Sequence, residues 1–298
     1  MGAIRIVSEV QEKVLPRKIS RRRFLGIAAA GAATAVAADG LLIDPNFPQL
    51  VRQEIVLRRW PQRMDGFTVA LLSDFHYDPY FSVHPLRAAI GMVNKLRPDL
   101  IVLTGDFVSV PWFGNPAAGA AAAEPCAQLL RQMRAQHGLW AVMGNHDVDT
   151  DPNRVTAVLR DSNIHVLRNQ SVPIEKDGSR FWLAGVDDVL GQKADISTTL
   201  RGVPSDEATV LLAHEPDYAD YVASYPVDLQ LSGHTHGGQL RIPFLLPLYL
   251  PKLGRKYVWG RYQIRELALY TNRGLGTINI PARLNCPPEI TLLTLRRS

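Results

Sequence analysis

The sequence predicts an α/β fold, a four-layer α/β/β/α sandwich in which two mixed sheets are flanked by helices. In the first half of the chain, short apolar runs of strand length alternate with amphipathic stretches of helix length. The second half is rich in strands. Strands that alternate with helices and are followed by further strands are typical of layered α/β domains. Because no linker rich in glycine or serine interrupts the body, we expect one domain over residues 45–298.

The first half of this body supplies the alternation of strands and helices. Short apolar runs bounded by turn residues predict strands over residues 68–72, 100–104 and 139–143. Apolar residues at helical spacing predict helices over residues 85–96, 126–136 and 153–161. Pro98 is expected to end the first of these helices.

Apolar runs of strand length dominate the second half of the body. They predict strands over residues 181–186, 209–213, 227–231, 267–270 and 290–295. A short helix is expected around residues 218–224. The last two are expected to be late strands of a closing sheet.

Composition and charge exclude several classes of protein. The chain has 298 residues, of which 46% are hydrophobic and 20% charged, as in soluble globular proteins. A disordered chain, a collagen-like fibre and a membrane protein with many spans are therefore excluded. The formal charge of +5 comes from residues 1–37, which hold seven basic and two acidic side chains, while the rest holds 26 of each sign. We expect no nucleic-acid-binding surface on this neutral body.

The N-terminal segment has the layout of an export signal. Ser20-Arg21-Arg22-Arg23-Phe24-Leu25 is followed by a weakly apolar run and by Ala35-Val36-Ala37, an Ala-x-Ala cleavage pattern. The Ser-Arg-Arg-x-Phe-Leu core resembles the twin-arginine signal, which a receptor reads as an address. The resemblance implies that residues 1–37 engage the twin-arginine export machinery and that the protein is exported to the periplasm or cell envelope. A membrane anchor is the alternative, although the uncharged run of 15 residues is shorter than the ~20 that span a bilayer.

Polar clusters follow several of the predicted strands, and they draw on the same few residue types. In chain order they contain Asp74 and His76, then Asp106, then Asn145, His146 and Asp147, then His214, then His234 and His236. Loops at the carboxyl ends of strands are where open α/β sheets bind ligands. We therefore expect these side chains to meet at one site.

The mixture of imidazole and carboxylate groups indicates metal binding. Such ligands suit Mn, Fe or Zn, whereas Ca and Mg prefer shells made only of oxygen. Seven candidate ligands exceed one tetrahedral site but fit two divalent metal ions that share a bridging carboxylate. Two such ions can hold a phosphate and activate water for attack on it. His84, His137 and His165 lie outside the clusters and are expected to be structural.

The ordered motifs resemble those of the calcineurin-like metallophosphoesterases: Asp-x-His, Gly-Asp, Gly-Asn-His-Asp, a lone His, and Gly-His-x-His. The match runs from about Thr68 to Gln239, and with the export signal it is similar to a twin-arginine-exported phosphodiesterase subgroup. The resemblance implies the four-layer fold of this family and two divalent ions, Mn, Fe or Zn. It implies that the first ion is held by Asp74, His76, Asp106 and His236. It implies that the second is held by Asp106, Asn145, His214 and His234.

Two further residues have an implied role in catalysis. The resemblance places His146 near the phosphoryl group, where it would stabilise charge or protonate the leaving group. Asp147 is expected to orient His146 and to keep its pKa high, with loop capping as the alternative reading. Asp187 and Asp188 are expected to cap a turn.

The substrate is suggested by an apolar segment over residues 243–254, which prolines and glycine prevent from forming a regular helix or a central strand. With Arg255 and Lys256 it suggests a lipid-linked substrate and a peripheral membrane contact; packing over the core is the alternative. Aromatic residues at 77, 80, 81, 112 and 113 are expected near the entrance.

The function expected from the resemblance is an exported phosphoesterase that hydrolyses phosphodiesters by attack of a metal-bound hydroxide. Two alternatives stay open. One is a lipid-linked sugar nucleotide pyrophosphatase that uses the same site. The other is a non-catalytic metal-binding scaffold, which such a complete set of ligands disfavours.

Overall fold

The computed structural model describes residues 20–298 apart from 243, 246 and 248. The first 19 residues of the predicted export signal therefore lie outside the described residues, as do three positions of the apolar segment 243–254. The chain divides into two units, 1–37 and 38–298. The second unit begins before Pro45, because Gly40 is already buried and its carbonyl accepts a hydrogen bond from the backbone N–H of Arg283.

The N-terminal helix α1 spans Arg21–Ala38 and has no buried side chain. Short helical turns over Asp39–Ile43 and Asp44–Asn46 continue it. The whole stretch Arg21–Asn46 is long and apolar enough to cross a membrane, a test that a signal sequence near the N-terminus also passes. The helix thus extends beyond the uncharged run of the sequence, and its length is compatible with a signal or an anchor.

The second unit contains twelve strands and six helices among its described residues. The strands are β1 (Gln49–Leu57), β2 (Phe67–Leu72), β3 (Leu100–Leu103), β4 (Leu139–Ala141), β5 (Ile164–Val166), β6 (Gln170–Lys176), β7 (Ser179–Gly185), β8 (Thr209–Leu212), β9 (Leu229–Ser232), β10 (Gly260–Ile264), β11 (Leu267–Thr271) and β12 (Glu289–Arg297). The helices are α2 (Val83–Leu96), α3 (Ala123–Leu130), α4 (Asn145–Thr150), α5 (Pro152–Asp161), α6 (Ile196–Thr199) and α7 (Ala219–Val222).

The strands form two mixed sheets of six strands each. The first sheet has the order β1-β12-β2-β3-β4-β5, and only the β12–β2 pair is antiparallel. The second has the order β10-β11-β9-β8-β7-β6, with antiparallel pairs at its two edges. The central strands of both sheets are parallel, so their carboxyl ends meet at one edge of each sheet.

Alternating side chains on the central strands build separate layers of core. In β3, Leu100 and Val102 pack between the two sheets, whereas Ile101 and Leu103 face the helices α2, α3 and α5. Leu211 of β8 packs outward with residues of α6 and α7. Helices therefore cover the outer face of each sheet, and the predicted four-layer sandwich is confirmed.

Two kinds of local prediction differ from the structure. The helix expected over residues 126–136 is α3, Ala123–Leu130, because the chain turns after Leu130 and reaches Gly138 at φ +80°. The strands β1, β5, β6 and β10 have no counterpart among the predicted elements. All four lie at sheet edges with alternately exposed residues, so they lack the apolar run that identifies the central strands.

Candidate metal centre

Short loops at the carboxyl ends of five parallel strands carry the candidate ligands. Strands β2, β3 and β4 of the first sheet lead into Asp74 and His76, into Asp106, and into Asn145. Strands β8 and β9 of the second sheet lead into His214, and into His234 and His236. After each strand, the first candidate ligand lies only two to four residues beyond the end of the strand. The strand ends therefore determine where these side chains lie.

The loop backbone adopts unusual conformations at the ligands themselves. Positive φ angles occur at Asp74 (51°), His76 (39°), Asp106 (55°), His234 (73°) and His236 (51°). A left-handed backbone at a residue with a side chain costs about 1–3 kcal/mol, and such strain concentrates at functional sites. The bends allow both members of Asp74-x-His76 and of His234-x-His236 to reach one place, which extended strands would prevent.

Two glycines allow neighbouring loops to approach. Gly105 precedes Asp106 at φ +93°, and a Cβ built on it would overlap the backbone of Gly144. A Cβ on Gly144 would in turn overlap the Asp106 carboxylate. The glycines of the Gly-Asp and Gly-Asn motifs are therefore required for the two loops to pack together.

One group of candidate ligands lies around His76. Its Nε2 atom is 3.0 Å from Nε2 of His236 and 3.4 Å from Oδ2 of Asp106. Nε2 of His236 is also 3.5 Å from Oδ1 of Asp74. Asp74, His76 and His236 each offer a ligand atom within 4.8 Å of the others, and all three side chains are buried. Together with the neighbouring Asp106, these three residues are the ligands expected for the first ion.

The second group lies on the other side of Asp106. Oδ2 of Asp106 is 3.2 Å from Nε2 of His214, and Asp106, His214 and His234 together offer ligand atoms within 4.8 Å. Oδ1 of Asn145 is buried without a hydrogen-bond partner among the described residues. Asp106 contacts both groups, as a bridging carboxylate must.

Hydrogen bonds fix which ring nitrogen of each histidine remains available. Nδ1 of His214 donates to the carbonyl of Thr104 at 2.5 Å, so Nε2 is the ring nitrogen that faces Asp106. Nε2 of His234 donates to the carbonyl of Lys252 at 2.9 Å, so its Nδ1 is free to accept. Such outer hydrogen bonds set the tautomer and orientation of metal-binding histidines.

The pKa values of the histidines reflect their burial. Burial lowers the pKa of His76 to about 3 and that of His234 to about 4, and it holds the pKa of His236 well below its usual range. At neutral pH these rings are uncharged and have a lone pair for a cation. Burial also lowers the pKa of His214, but the carboxylate of Asp106 outweighs it and the net shift is upward.

The two carboxylates respond differently to the same buried setting. Burial raises the pKa of Asp74 to about 6, and the charge of Asp106 adds to the increase. Burial also raises the pKa of Asp106, but His214 and His146 outweigh it and hold that pKa well below its usual value. Two buried carboxylates this close to one another are stable as anions only when cations offset their charge.

The side chains gathered at this site are suited to hold two divalent ions. Nε2 of His214 and Oδ1 of Asn145 are buried without partners among the described residues, although buried polar atoms are nearly always paired. Uncharged imidazoles and carboxylates are the ligands that Mn, Fe and Zn prefer. The structure thus brings together all seven residues predicted to bind metal.

His146 lies beside this cluster. Its ring packs edge-on to the ring of His76 with centroids 4.8 Å apart, and it lines the same cavity. Its Nδ1 accepts a hydrogen bond from the backbone N–H of Val110 at 3.0 Å. Since Nδ1 is an acceptor, the proton of the neutral ring resides on Nε2.

Asp147 has partners other than the expected one. Its buried carboxylate accepts hydrogen bonds from the backbone N–H groups of Asp106, Phe107, Val108 and Gly144, at 2.8 to 3.2 Å. It makes no hydrogen bond to the ring of His146 among the described residues. The expectation that Asp147 orients His146 is therefore wrong; it braces the loop that carries Asp106.

The acidic pair Asp187 and Asp188 lies where the sequence predicts, whereas the predicted aromatic residues do not line the cavity where it is described. Asp187 accepts from the backbone N–H of Asp188 at 3.0 Å, and Asp188 accepts from the N–H of Gly191, as turn-capping residues do; Asp187 also pairs with Arg168 at 2.8 Å. The aromatic residues 77, 80, 81, 112 and 113 are absent from the described lining of the cavity, so the structure does not place them at the entrance. Tyr80 and Phe113 are strongly exposed to solvent.

Arg283 is a residue of the site that the sequence motifs do not reveal. Its fully buried guanidinium donates to the carbonyls of Arg273, Gly276 and Cys286 and lies 3.5 Å from Nδ1 of His236. These contacts hold the His236 loop against the chain that precedes β12. Because Arg283 stands alone between short turns, no spacing in the sequence identifies it.

Residues of the candidate cluster form the floor of a cavity of about 510 Å³. His76, Asp106, Asn145, His146 and His236 line it on one side. The rest of the lining consists of residues 190, 234–235, 238–240, 249, 251–252 and 278–280. The cavity is large enough for a substrate whose phosphoryl group contacts the candidate ligands.

Comparison with known proteins identifies the family. Residues 67–238 match the model of the calcineurin-like phosphoesterases. The chain is 37% identical to the uncharacterized metallophosphoesterase YkuE of Bacillus subtilis, with 94% of this chain and 99% of that protein aligned. It is 33% identical to the phosphodiesterase YaeI of Escherichia coli, over 93% and 99% of the two chains. It is 31% identical to a transmembrane protein with metallophosphoesterase domain of Bos taurus, of which it covers 64%.

The matched region contains all seven candidate ligands and both candidate catalytic residues, and the observed sandwich is the one that the family resemblance implies. The chain therefore belongs to the calcineurin-like phosphoesterase family and is a metal-dependent phosphoric ester hydrolase.

Proposed function

We propose that the protein is an exported phosphodiesterase with two divalent metal ions. The observation that carries this proposal is the pair of ligand groups that share Asp106, with His146 beside them on the cavity. The name of the relative YaeI, a phosphodiesterase, supports the choice of diesters over monoesters.

The metal ions would be held by the residues of the two groups. Asp74, His76, Asp106 and His236 would hold one ion. Asp106, Asn145, His214 and His234 would hold the other. When bound, a pair of Mn, Fe or Zn ions withdraws charge from a phosphoryl group and makes water a stronger nucleophile.

His146 supplies the proton in this proposal. Because Val110 N–H donates to Nδ1, Nε2 bears the proton and can donate it to an oxygen of the substrate. Edge-on packing against His76 keeps this ring beside the ligand cluster. The chain thus aligns a donor with the position that a leaving-group oxygen would occupy.

Activity measurements test this proposal. Protein loaded with Mn²⁺ should hydrolyse bis-p-nitrophenyl phosphate, and His146→Asn should lower kcat by about 10²–10⁴-fold with metal content unchanged. His84→Asn, at an exposed histidine outside the cluster, is the matched control and should retain full activity. No turnover by the wild type, or undiminished turnover by His146→Asn, would contradict the proposal.

The alternatives give different results in the same assay. A lipid-linked sugar nucleotide pyrophosphatase would cleave a diphosphate and leave bis-p-nitrophenyl phosphate almost untouched. A metal-binding scaffold would bind the ions and turn over neither compound. The pyrophosphatase would use the same candidate ligands and the same cavity. The scaffold would require a full set of metal ligands that serve no reaction.

Export by the twin-arginine machinery, to the periplasm or cell envelope, is the second part of the proposal. It is supported by the Ser-Arg-Arg-x-Phe-Leu core and by α1, whose described side chains are not buried. Replacing Arg21 and Arg22 by lysine keeps the charge and should abolish export, because the receptor reads the arginine pair. Arg23→Lys, at the variable position, is the control, and export of the double variant would refute this part.

A peripheral membrane contact through residues 243–254 completes the proposal. Phe244, Leu245 and Tyr249 are exposed apolar groups there. Of the two basic residues beyond, Lys256 is paired with Asp220 at 2.8 Å, so Arg255 contributes more to an anionic surface. Sedimentation with anionic phospholipid vesicles should fall for Phe244→Ser; equal sedimentation of both proteins would contradict the contact.

A further inference from the structure

The cavity beside the metal cluster has two chemically different sides. Its floor consists of polar candidate ligands, whereas six apolar side chains form much of the remaining lining, here called the apolar wall. This apolar wall consists of Leu190, Leu240, Tyr249, Pro251, Ile278 and Ile280. A site for a purely polar diester would not require such a wall, because polar substituents gain nothing from apolar contact.

The apolar wall is held in place by hydrogen bonds beneath it. Oε1 of Gln239 accepts from the backbone N–H of Ile278 at 2.9 Å. Nε2 of Gln239 donates to the carbonyls of Ile278 and Ile280, at 3.0 and 3.2 Å. Gln239 ends the Gly-His-x-His-Gly-Gly-Gln segment, so the ligand loop and the wall are directly connected. The wall therefore has a fixed position relative to His234 and His236.

Parts of the apolar wall remain exposed to solvent. Ile280 is 45% exposed and Tyr249 is 65% exposed. Exposed apolar side chains at the edge of a cavity are typical of surfaces that contact an apolar ligand. Outside the candidate ligands and His146, the polar side chains of the lining are those of Thr235, Gln239, Lys252 and Asn279, and the amide of Gln239 is already hydrogen-bonded.

We propose that the substrate is a phosphodiester in which one substituent is an apolar chain, and that the apolar wall binds this chain. The inference rests on the proposed function, since the phosphoryl group must lie at the metal cluster and His146. A chain attached to that group can reach the wall directly, because both line one cavity. Hydrolysis then breaks one P–O bond; water supplies the new oxygen on phosphorus, and the leaving alcohol takes a proton.

A homologous series of substrates tests the proposal. Methyl, butyl and octyl p-nitrophenyl phosphates carry the same leaving group and differ only in the chain, and they are used below micelle-forming concentrations. Each methylene that moves from water onto the wall should raise kcat/KM about fourfold. For the full chain loaded with Mn²⁺, we expect kcat/KM for the octyl ester to exceed that for the methyl ester at least tenfold.

Variants of the apolar wall should reduce this ratio. Ile280→Ser should lower the octyl-to-methyl ratio at least threefold, and Ile280→Leu should preserve it. Because Ile280 is exposed, the serine variant should still fold, which its melting temperature would verify. Val56→Ser replaces an exposed β-branched residue of β1 and is the matched control, with activity and ratio unchanged.

The outcomes separate this inference from the proposed function. If the methyl ester is hydrolysed but the ratio is near one, or if Ile280→Ser keeps the wild-type ratio, the apolar wall is not the chain-binding surface. If no ester in the series is hydrolysed, the proposed phosphodiesterase activity itself fails.

Discussion

At the scale of single residues, the buried carboxylate of Asp147 holds the loop that carries Asp106. Asp74, His76 and the other ligands follow strands at short distances, so the sequence was enough to expect them at one edge. Asp147 shows the limit of such reasoning. It follows His146 within α4, and consecutive helical residues point about 100° apart, so neighbours in sequence face different partners.

Asp147→Asn tests the bracing role that the structure gives this residue. An asparagine side chain has one acceptor oxygen, so hydrogen bonds from four backbone N–H groups can no longer all be made. We expect a loss of about 1–3 kcal/mol in the free energy of unfolding, as for buried N–H groups that are left without a partner. Metal affinity should fall as well, because the Asp106 loop loosens.

The pH profile separates bracing from an effect on His146. With bracing, the residual kcat of Asp147→Asn keeps the wild-type pH dependence; a shifted profile would restore the expectation that Asp147 tunes His146. Asp149→Asn, at an exposed residue of the same helix, serves as the control. It should leave the free energy of unfolding within about 0.5 kcal/mol of the wild type.

At the scale of elements, the strands that are buried on both faces could be predicted from the sequence, and the four edge strands could not. The central strands β2, β3, β8 and β9 are buried on both faces and were evident as apolar runs. The edge strand β6 contains Pro173 and alternates with polar residues, so its pattern resembles a loop. Its pairing depends on β7, a neighbour that the sequence could not identify without the sheet order.

A polar link between the two sheets accounts for part of their stability. Asp99, which precedes β3, accepts hydrogen bonds from the N–H and hydroxyl of Thr68 in β2 and from Lys176 in β6. Burial raises the pKa of Asp99, but the hydrogen bonds from Lys176 and Thr68 outweigh it, so the net shift is downward. The carboxylate form is therefore more stable in the folded protein than in the unfolded chain.

Asp99→Asn should lose this contribution in a pH-dependent way. A depressed folded pKa stabilises the fold above the unfolded value of about 3.9, and the stabilisation disappears as the pH falls through the folded pKa. Because the pair is partly exposed, we expect the variant to be about 1 kcal/mol less stable at pH 7. Urea unfolding at pH 7 and below pH 3 measures the difference.

The control for Asp99→Asn is Glu175→Gln, at an exposed residue of β6 next to Lys176. It should leave the difference in the free energy of unfolding between pH 7 and pH below 3 as in the wild type. A destabilisation by Asp99→Asn that is equally large at both pH values would mean that the side chain acts through packing and not through charge.

At the scale of the whole molecule, the distribution of charge divides the chain by role. The net charge of +5 belongs to residues 1–37, while the body is neutral. Within that body, Asp74 and Asp106 are buried among histidines whose pKa values are mostly lowered. Formal charge therefore says nothing about phosphate binding, because the positive charge at the site must come with bound cations.

Metal removal tests this account of the whole fold. Ions that bind the folded state stabilise it by about 2.7 kcal/mol each when their concentration is a hundred times Kd. For a body of this size, we expect chelation of both ions by EDTA to lower Tm by roughly 10–20 °C, since 1 kcal/mol corresponds to about 2–4 °C. Added Mn²⁺ or Zn²⁺ should restore Tm. Asp106→Asn removes the shared carboxylate, so its Tm should respond to EDTA much less. A wild-type Tm that EDTA leaves unchanged would mean that the buried carboxylates need no cation.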